Sequence, residues 1–319
     1  MLIVDYLSNL LKNKKWAYLV RFLFVLKGEY MFYIGNWNKQ KIINFYVNNN
    51  DVRNVIVIYT KRLFENYNLN IDHEYIEIHD VHDYKNHYRL LQSVNRYTLI
   101  VLDNLLISQQ RYSTEYNCIA NLINQTPHRL VFNYFPFIEN SNDFMILLDF
   151  YNRVKYKGER FDYELFKDFK YFIKPIEINL NFINVDVSDE DKETFNKERD
   201  RLFNEIGLKN PNIIPNTLSM LCGDIKHKNI EKVNNSFTSR NRRYKDLTTY
   251  KDDELNTILD FPTNRKDFVE LLTKTRKKDI NILTSELPMD KWYKEDYLKW
   301  LERLKEFYDK ANVFKNKCG

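Results

Sequence analysis

The sequence predicts an α/β protein that begins with a largely parallel β-sheet covered by helices and ends in a helical region. Over the first 180 residues, continuous apolar runs such as 55–59 and 98–102 alternate with segments of helical period. Uninterrupted apolar strands of this kind are typical of sheets buried on both faces. Beyond residue 180 the apolar runs give way to charged, amphipathic segments, which indicates a second, α-rich region.

The individual elements of the first region follow from these runs. The predicted strands lie at 30–34, 55–59, 75–78, 98–102, 130–132 and 171–178. Helices are predicted between them, at 39–47, 84–94, 116–123 and 144–151, because apolar residues recur there at three- and four-residue intervals. Pro175 lacks a backbone donor, so the last strand is expected near a sheet edge.

The second region is predicted to be helical throughout. Ser188 with Asp191 matches a capping box, and Gly207 suits the end of that helix. The remaining predicted helices lie at 212–222, 224–233, 252–260, 265–277 and 290–311. We therefore divide the chain into an α/β domain at 1–187, a helical lid module with a basic connector at 188–246, and an all-α assembly domain at 247–319.

Composition excludes several classes of protein. The chain has 319 residues, of which 44% are hydrophobic, so it has enough apolar surface to fold and is not intrinsically disordered. Its three cysteines are far apart and predict reduced thiols. The longest early apolar stretch, 16–26, has 11 residues and falls short of the ~20 that span a bilayer. We expect a cytoplasmic protein without a membrane partner.

The segment after the first strand has part of the pattern of a phosphate-binding loop. In G-x-x-x-x-G-K-[ST], backbone N–H groups wrap the phosphates, the Lys meets the β- and γ-phosphates, and the hydroxyl holds Mg²⁺. Gly35 and Lys41 have this spacing, but Gln40 replaces the second Gly and Ile42 replaces the Ser or Thr. We favour a P-loop fold that has lost its nucleotide chemistry over an active site, and over a plain turn followed by a solvated Lys41.

The strand at 98–102 ends in Asp103, as does a Walker B strand whose carboxylate orders the water shell of Mg²⁺. In ATPases of the AAA+ type the next residue is usually the glutamate that polarises the attacking water. Asn104 takes that place here and cannot act as a base. The sequence thus predicts a vestigial nucleotide site at Gly35, Lys41 and Asp103, with no catalytic residue and no cofactor.

Four of the six histidines, His73, His79, His82 and His87, lie among carboxylates. Their spacing matches no closed metal site, so a solvated polar loop is the preferred interpretation and a metal ion is not expected.

A basic segment at 226–246 carries seven Lys and Arg residues against two carboxylates. Phe237 and Tyr244 are interleaved with the charges, a composition that suits a phosphate backbone and equally an exposed linker. The candidate DNA-binding residues are Lys226, Lys228, Arg240, Arg242, Arg243 and Lys245.

This order of elements resembles the delta subunit of the bacterial DNA polymerase clamp loader, an AAA+-like family. FYIGNWNKQKIINFYV (32–47) looks like the first strand, turn and helix of that family. YTLIVLDNLLI (97–107) and PHRLVFNYFP (127–136) look like its central strands, and the segment 205–236 resembles its lid module.

The resemblance implies a subunit that does not hydrolyse ATP and that contacts a sliding clamp and other clamp-loader subunits, while DNA as a partner is predicted from the basic segment. The family's clamp-contacting hook precedes the strand equivalent to 98–102, which makes Leu90, Leu91 and Val94 the clamp-binding candidates. The helices after residue 247 would hold the partner subunits through an apolar stripe that includes Trp292 and Trp300.

Two other functions fit the residues. One is a divergent P-loop NTPase of phage DNA replication or packaging that uses Lys41 and Asp103. The other is a DNA-binding accessory protein with an inactive nucleotide fold. The high content of Tyr, Asn and Lys is typical of an AT-rich genome such as that of a phage.

Overall fold

A computed structural model describes residues 31–64, 67–105, 113–207, 210–211, 213–229, 249–250, 258–259 and 264–317. The chain divides into two compact units. The first holds the described residues within Met1–Pro136, Ser141–Pro175 and Ala311–Gly319, and the second holds those within Phe137–Asn140 and Ile176–Lys310.

The first unit is built on a six-stranded parallel sheet. Its strands are β1 (Met31–Ile34), β2 (Asn54–Tyr59), β3 (Ile76–Asp80), β4 (Thr98–Asp103), β5 (His128–Asn133) and β6 (Tyr171–Ile173). They lie in the order β3-β2-β4-β5-β1-β6, and every neighbouring pair is parallel. The predicted α/β class, with a parallel sheet in the first part of the chain, is confirmed.

Helices cover both faces of this sheet. They are α1 (Lys39–Asn49), α2 (Tyr84–Ser93), α3 (Thr114–Ile123) and α4 (Phe144–Tyr156). On one face Tyr33 stacks on Phe132, with ring centroids 5.0 Å apart, and shares a core cluster with the apolar side of α1. On the other face Phe32 meets Phe144 of α4 edge to face at 5.6 Å. Adjacent residues of β1 thus pack on opposite layers, as the alternation of a strand requires.

The second unit has its own sheet. Its strands are β7 (Asn179–Asn184), β8 (Thr249–Tyr250), β9 (Ile258–Leu259) and β10 (Asp279–Thr284). Its helices are α5 (Asp189–Glu205), α6 (Ile213–Asn229), α7 (Arg265–Thr275) and α8 (Pro288–Lys317). The last of these, α8, begins in the second unit, and its residues from Ala311 onward belong to the first. The strand order is β7-β10-β9-β8, with β8 antiparallel to β9 and the other pairs parallel.

This sheet corrects the prediction of an all-α C-terminal part. The predicted strand at 171–178 is shorter than expected, because β6 ends at Ile173, and a further strand, β7, begins at Asn179 and pairs with β10 over six residue pairs. The predicted helix at 252–260 contains β9 instead. Such short strands are stabilised by their partners across the sheet rather than by local pattern, so the sequence gives only a weak signal for them.

The domain boundaries shift accordingly. The structure divides after Pro175, not after residue 187, because β7 belongs to the second sheet. The predicted lid module and assembly domain are one unit, since Phe195 of α5 and Leu218 of α6 share a core cluster with Leu287. Gly223 does not separate two helices: α6 runs through it, and Cys222 and Ile225 on either side of it are buried.

Trp300, Leu304 and Phe307 of the apolar stripe expected to hold partner subunits are core, whereas Trp292 is exposed. Trp300 and Phe307 of α8 are fully buried and pack edge to face around Phe137, at centroid distances of 6.4 and 5.7 Å. Phe268 of α7 stacks on Tyr297 at 4.1 Å. These rings hold the second unit together, and a stripe at helical spacing is most often core.

None of the helices in the part of the chain that the structure describes combines the length and apolar character that a membrane span requires.

Trp300→Ala should lower the free energy of unfolding by about 3–5 kcal/mol, because removing the side chain of a buried tryptophan leaves a cavity behind. Trp292→Ala is the matched control: its side chain is 56% exposed, so a loss below about 1 kcal/mol is expected. Chemical denaturation followed by circular dichroism measures both. Equal, small losses for the two variants would contradict the placement of Trp300 in the core.

Candidate functional site

The carboxyl ends of β4, β5 and β1 lie side by side at one edge of the first sheet. Open parallel sheets bind their ligands outside this edge, where crossover connections leave a crevice. The predicted nucleotide-site residues Gly35 and Asp103 stand at the ends of β1 and β4. The structure therefore brings these two to the same edge.

Gly35 makes a turn that only glycine fits. Its φ is +107°, a region that residues with a Cβ rarely adopt. A Cβ added there would lie 2.1 Å from the carbonyl oxygen of Lys174, so the backbone that follows β6 passes directly over the turn. The Gly35 N–H donates to the carbonyl of Asn133 at 2.9 Å. This glycine serves close backbone packing.

Trp37 stabilises the turn through two hydrogen bonds to its backbone. Its indole N–H donates to the carbonyl of Ile34 at 2.8 Å, and its backbone N–H donates to the carbonyl of Gly35 at 3.1 Å. Its ring lies edge-on to Tyr33. A phosphate-binding loop points its N–H groups outward toward the ligand, whereas these two donors bond within the turn.

The lysine at the site is Lys39, not Lys41. Asn38 caps α1, accepting from the Lys41 N–H at 3.0 Å, so the helix begins at Lys39. The Lys39 ammonium forms an ion pair with Asp103, while Lys41 is exposed on the helix surface. The structure does not bring the predicted Lys41 to Asp103, because the prediction counted spacing from Gly35, whereas the cap determines which side chain points to the sheet edge.

The carboxylate of Asp103 is buried and held by three donors. One oxygen accepts from Lys39 and from the Asn104 amide, the latter at 2.7 Å. The other accepts from the Tyr67 hydroxyl at 2.7 Å. A Mg²⁺ ion or its water shell would have to displace one of these donors to reach Asp103.

Asn104 is a structural residue. It has φ +48°, which asparagine tolerates better than most residues. Besides its bond to Asp103, its side-chain oxygen accepts from the Tyr134 N–H at 2.6 Å, and its carbonyl accepts from the Thr60 hydroxyl at 2.9 Å. Asn104, at the position that a catalytic glutamate would take in an active ATPase, therefore connects the end of β4 to the segments of Tyr134 and Thr60.

Aromatic rings surround the ion pair. Tyr67 stacks on Tyr59 at 4.0 Å, and the Lys39 ammonium lies 5.2 Å from the centre of the Phe64 ring. Sequence analysis missed Lys39 and Tyr67. The N-cap preference of Asn38 could have identified Lys39. No local pattern marks Tyr67, which lies 36 residues before Asp103.

The clamp-binding candidates lie largely inside the first unit. Leu90 and Val94 are buried at the end of α2, and Leu91 is half-buried. α2 packs against α3. An apolar hook must present its side chains to the partner, and Leu90 and Val94 are not placed to do so, which corrects that expectation.

The basic candidates have different surroundings. Lys226 is fully buried and donates to Asp290 at 2.9 Å and to the carbonyl of Leu283 at 3.0 Å, so it has no surface to offer a phosphate. Lys228 is exposed and pairs with Asp191 at 3.0 Å. Arg240, Arg242, Arg243 and Lys245 lie outside the described residues.

The Lys228 pair also affects the titration of its partner. The pKa of Asp191 lies below its ordinary value, chiefly because the Ser188 hydroxyl donates to the carboxylate, with Lys228 and Asn229 adding further bonds. Lys228 therefore helps hold the start of α5.

Within the part of the chain that is described, no group of three or more His, Cys, Asp or Glu side chains is placed to hold a metal ion. In the histidine-rich segment, His79 contacts Glu77 at 3.2 Å and His82 lies 3.9 Å from Glu115.

Comparison with known proteins adds little to this geometry. No protein-family model and no curated protein matches the chain. Among solved structures, the chain is similar to the Sulfolobus solfataricus SWI2/SNF2 ATPase core in complex with dsDNA, with 13% identity and a TM-score of 0.33 over 60% of this chain. The match spans 54% of that structure's chain, about half its length. A superposition this loose carries no argument about function.

A lysine that contacts DNA can be removed without loss of stability, whereas a buried one cannot. We expect Lys226→Ala to lower the free energy of unfolding by about 3–5 kcal/mol, because Asp290 would be left as an unpaired buried charge. Lys228→Ala removes an exposed ammonium and leaves Asp191 bonded to Ser188 and Asn229, so it should cost about 1 kcal/mol or less. Thermal and chemical denaturation of both variants test this, and a Lys226→Ala protein as stable as the parent would refute the assignment.

Gly35 and Gly158, the glycines with positive φ among the described residues, provide a matched pair. Gly35→Ala should destabilise by about 2–5 kcal/mol, because strain at positive φ adds to the collision with Lys174. Gly158 has φ +82° but open space around a Cβ, so Gly158→Ala should cost only the strain, about 1–2 kcal/mol. Similar unfolding midpoints for the two variants would show that the close approach at Gly35 contributes nothing.

Proposed function

We propose that the first unit is a P-loop-type domain that has lost nucleotide hydrolysis, and that the chain acts by binding other macromolecules. The observation that carries this proposal is that both oxygens of the Asp103 carboxylate accept hydrogen bonds from side chains of the protein itself. Lys39, Asn104 and Tyr67 donate to it, and these are groups of the chain itself at the place where Mg²⁺ and phosphate oxygens would meet.

Two further observations support the loss of hydrolysis. The connection from β1 to α1 is four residues long, 35–38, and its Gly35 and Trp37 N–H groups bond within the fold. A P-loop has six residues from its first glycine to the end of its second, which lets it wrap the phosphates. Asn104 supplies an amide where a base is required, so the attacking water has no proton acceptor there.

A role as a clamp-loader delta-like subunit in DNA replication, with a sliding clamp, partner ATPase subunits and DNA as its partners, stays a prediction from the sequence resemblance. The expected hook at Leu90 and Val94 is buried, so a clamp contact would need another surface. The basic residues 240–245 remain the candidates for DNA.

One observation favours a divergent P-loop NTPase. Lys39 follows the turn directly and reaches the Asp103 carboxylate, which is the pairing of a phosphate-binding lysine with a magnesium-ordering carboxylate. In that case ATP with Mg²⁺ would separate the pair and occupy the space between the two charges.

Binding of a fluorescent ATP analogue with Mg²⁺, together with phosphate release, distinguishes the two functions. We expect no saturable binding, and turnover far below the ~1 s⁻¹ of slow working enzymes, with or without DNA. Lys39→Ala should leave both readouts unchanged while destabilising the fold by a few kcal/mol, because it removes the charge that pairs with Asp103.

Lys41→Ala is the matched control, since its exposed side chain should affect neither stability nor binding. Micromolar ATP binding that disappears in Lys39→Ala and persists in Lys41→Ala would overturn the proposal in favour of the NTPase.

A further inference from the structure

A cavity of about 840 Å³ lies in the first unit, between one side of α1 and the segment that leads into β3. Arg53 and Tyr75, which stand just before β2 and β3, put its far end at the amino ends of the strands. Asp103 and its donors Lys39, Asn104 and Tyr67 lie at the opposite, carboxyl edge of the sheet. The cavity is lined by one side of α1, by Arg53 and by the segment 70–75.

One wall of the cavity is a row of amides. Gln40, Asn44 and Asn48 follow one another at four-residue intervals on α1, so they lie on one face of the helix, about 6 Å apart along its axis. Two residues of an extended chain span about 6.6 Å. This amide row therefore matches the repeat of an extended polypeptide, whose backbone needs donors and acceptors. Gln40 and Asn48 offer both, and Asn44, whose oxygen already accepts from the Asp72 N–H, offers its amide donors.

The opposite wall is acidic and carries an aromatic ring. Asp72 and Glu74 are exposed, and Tyr75 beside them is 65% exposed. Carboxylates next to an open tyrosine face attract Lys and Arg side chains, through charge and through the ring. We call Asp72, Glu74 and Tyr75 the acidic wall.

The charges of the cavity disfavour nucleic acid. Its single arginine, Arg53, lies over the Tyr97 ring at 4.2 Å and has Asp51 at 3.8 Å, so its charge is partly neutralised. The carboxylates of the acidic wall outnumber it and would repel a phosphate backbone.

The walls are anchored before any ligand arrives. The His73 ring lies 3.3 Å from the carbonyl of Val52 and accepts from the Tyr75 N–H at 3.1 Å, which holds the acidic wall to the start of β2. The Asp72 N–H donates to the side chain of Asn44 at 3.1 Å, so the two walls are tied together. A preformed site loses less entropy on binding than a mobile one.

We propose that this cavity binds an extended, basic segment of a partner protein. The amide row bonds to the peptide groups of the segment, and the acidic wall contacts its Lys or Arg side chains. The proposal specifies the binding surface for the binding role proposed above, and it does not depend on whether nucleotide is hydrolysed.

The experiment uses random 12-residue peptides displayed on phage and selected on the immobilised full-length protein. The enriched peptides are then synthesised with a fluorescent label and titrated by anisotropy. We expect enrichment of sequences with two or more Lys or Arg, and a loss of affinity of at least about tenfold in the double variant Asp72→Lys/Glu74→Lys and in Tyr75→Ala.

The matched control is Glu302→Lys/Glu306→Lys, which makes the same change of charge on exposed residues of α8, in the other unit. It should keep the affinity within about twofold, because neither residue lines the cavity. All variants are first shown to have the circular dichroism spectrum and unfolding midpoint of the parent.

Three outcomes would overturn the proposal. The first is that no basic sequence is enriched. The second is that enriched peptides bind the acidic-wall variants and the control equally. The third concerns a labelled 20-nucleotide thymidine strand that is titrated in parallel. If this strand binds the parent and does not bind Tyr75→Ala, the cavity would be assigned to single-stranded nucleic acid. None of these readouts involves ATP, so failure here is separable from failure of the proposed loss of hydrolysis.

Discussion

The carboxyl edge of the first sheet depends on the buried charge of Asp103. A carboxylate without solvent is stable only when its oxygens are paired, and here an ammonium, an amide and a phenol provide the partners. Each partner comes from a different place: Lys39 starts α1, Asn104 ends β4, and Tyr67 lies in the segment before β3. The need to satisfy one carboxylate thus holds three separate segments at one point, and the turn at Gly35 brings Lys39 within reach.

The second unit uses the same kind of interaction for a different purpose. Lys226 and Asp290 join α6 to α8 in the interior, with Ser285 donating to the second oxygen of Asp290 at 2.6 Å. This pair also stands near the carboxyl end of a strand, because Lys226 donates to the Leu283 carbonyl of β10 and Ser285 directly follows that strand. Cys222 and Leu287 belong to the apolar cluster of the same unit. A buried lysine–aspartate pair near a strand end is therefore by itself no sign of a nucleotide site, and at Asp103 it is the turn at Gly35 before Lys39 that raises the question of function.

The parts of the fold that could be predicted are those whose signal is local. β4 is apolar and fully buried along its length, so the run at 98–102 was sufficient to place it. β10 was missed because its apolar residues alternate with Asp279 and Asn281, and its stability comes from pairing with β7, about a hundred residues earlier. Gly223 predicted a break that packing overrides, since a glycine inside a helix costs only ~1 kcal/mol and the buried neighbours Cys222 and Ile225 provide more than that.

The residues of the candidate site likewise divide into those that local sequence pattern predicts and those that depend on contacts with distant segments. Gly35, Asp103 and Asn104 stand at strand ends and were found from the strand pattern, whereas Lys39 required the helix start and Tyr67 required the tertiary fold. Lys41 lies two residues beyond Lys39, and on a helix two residues turn a side chain by about 200°, here from the sheet edge to solvent.

The two edges of the first sheet differ in a way that bears on function. At the carboxyl edge the charged groups are paired within the chain and the Gly35 and Trp37 N–H groups point inward, so a ligand would have to break interactions that stabilise the fold. Near the amino edge, the amide row and the acidic wall leave Asp72, Glu74 and Tyr75 exposed around a cavity whose floor, Val47 and Ile71, belongs to the core. Binding there costs the fold nothing, because no core contact has to open. A sheet whose usual ligand edge is closed by its own side chains therefore still has a preformed surface for a partner, and it lies where the strands begin.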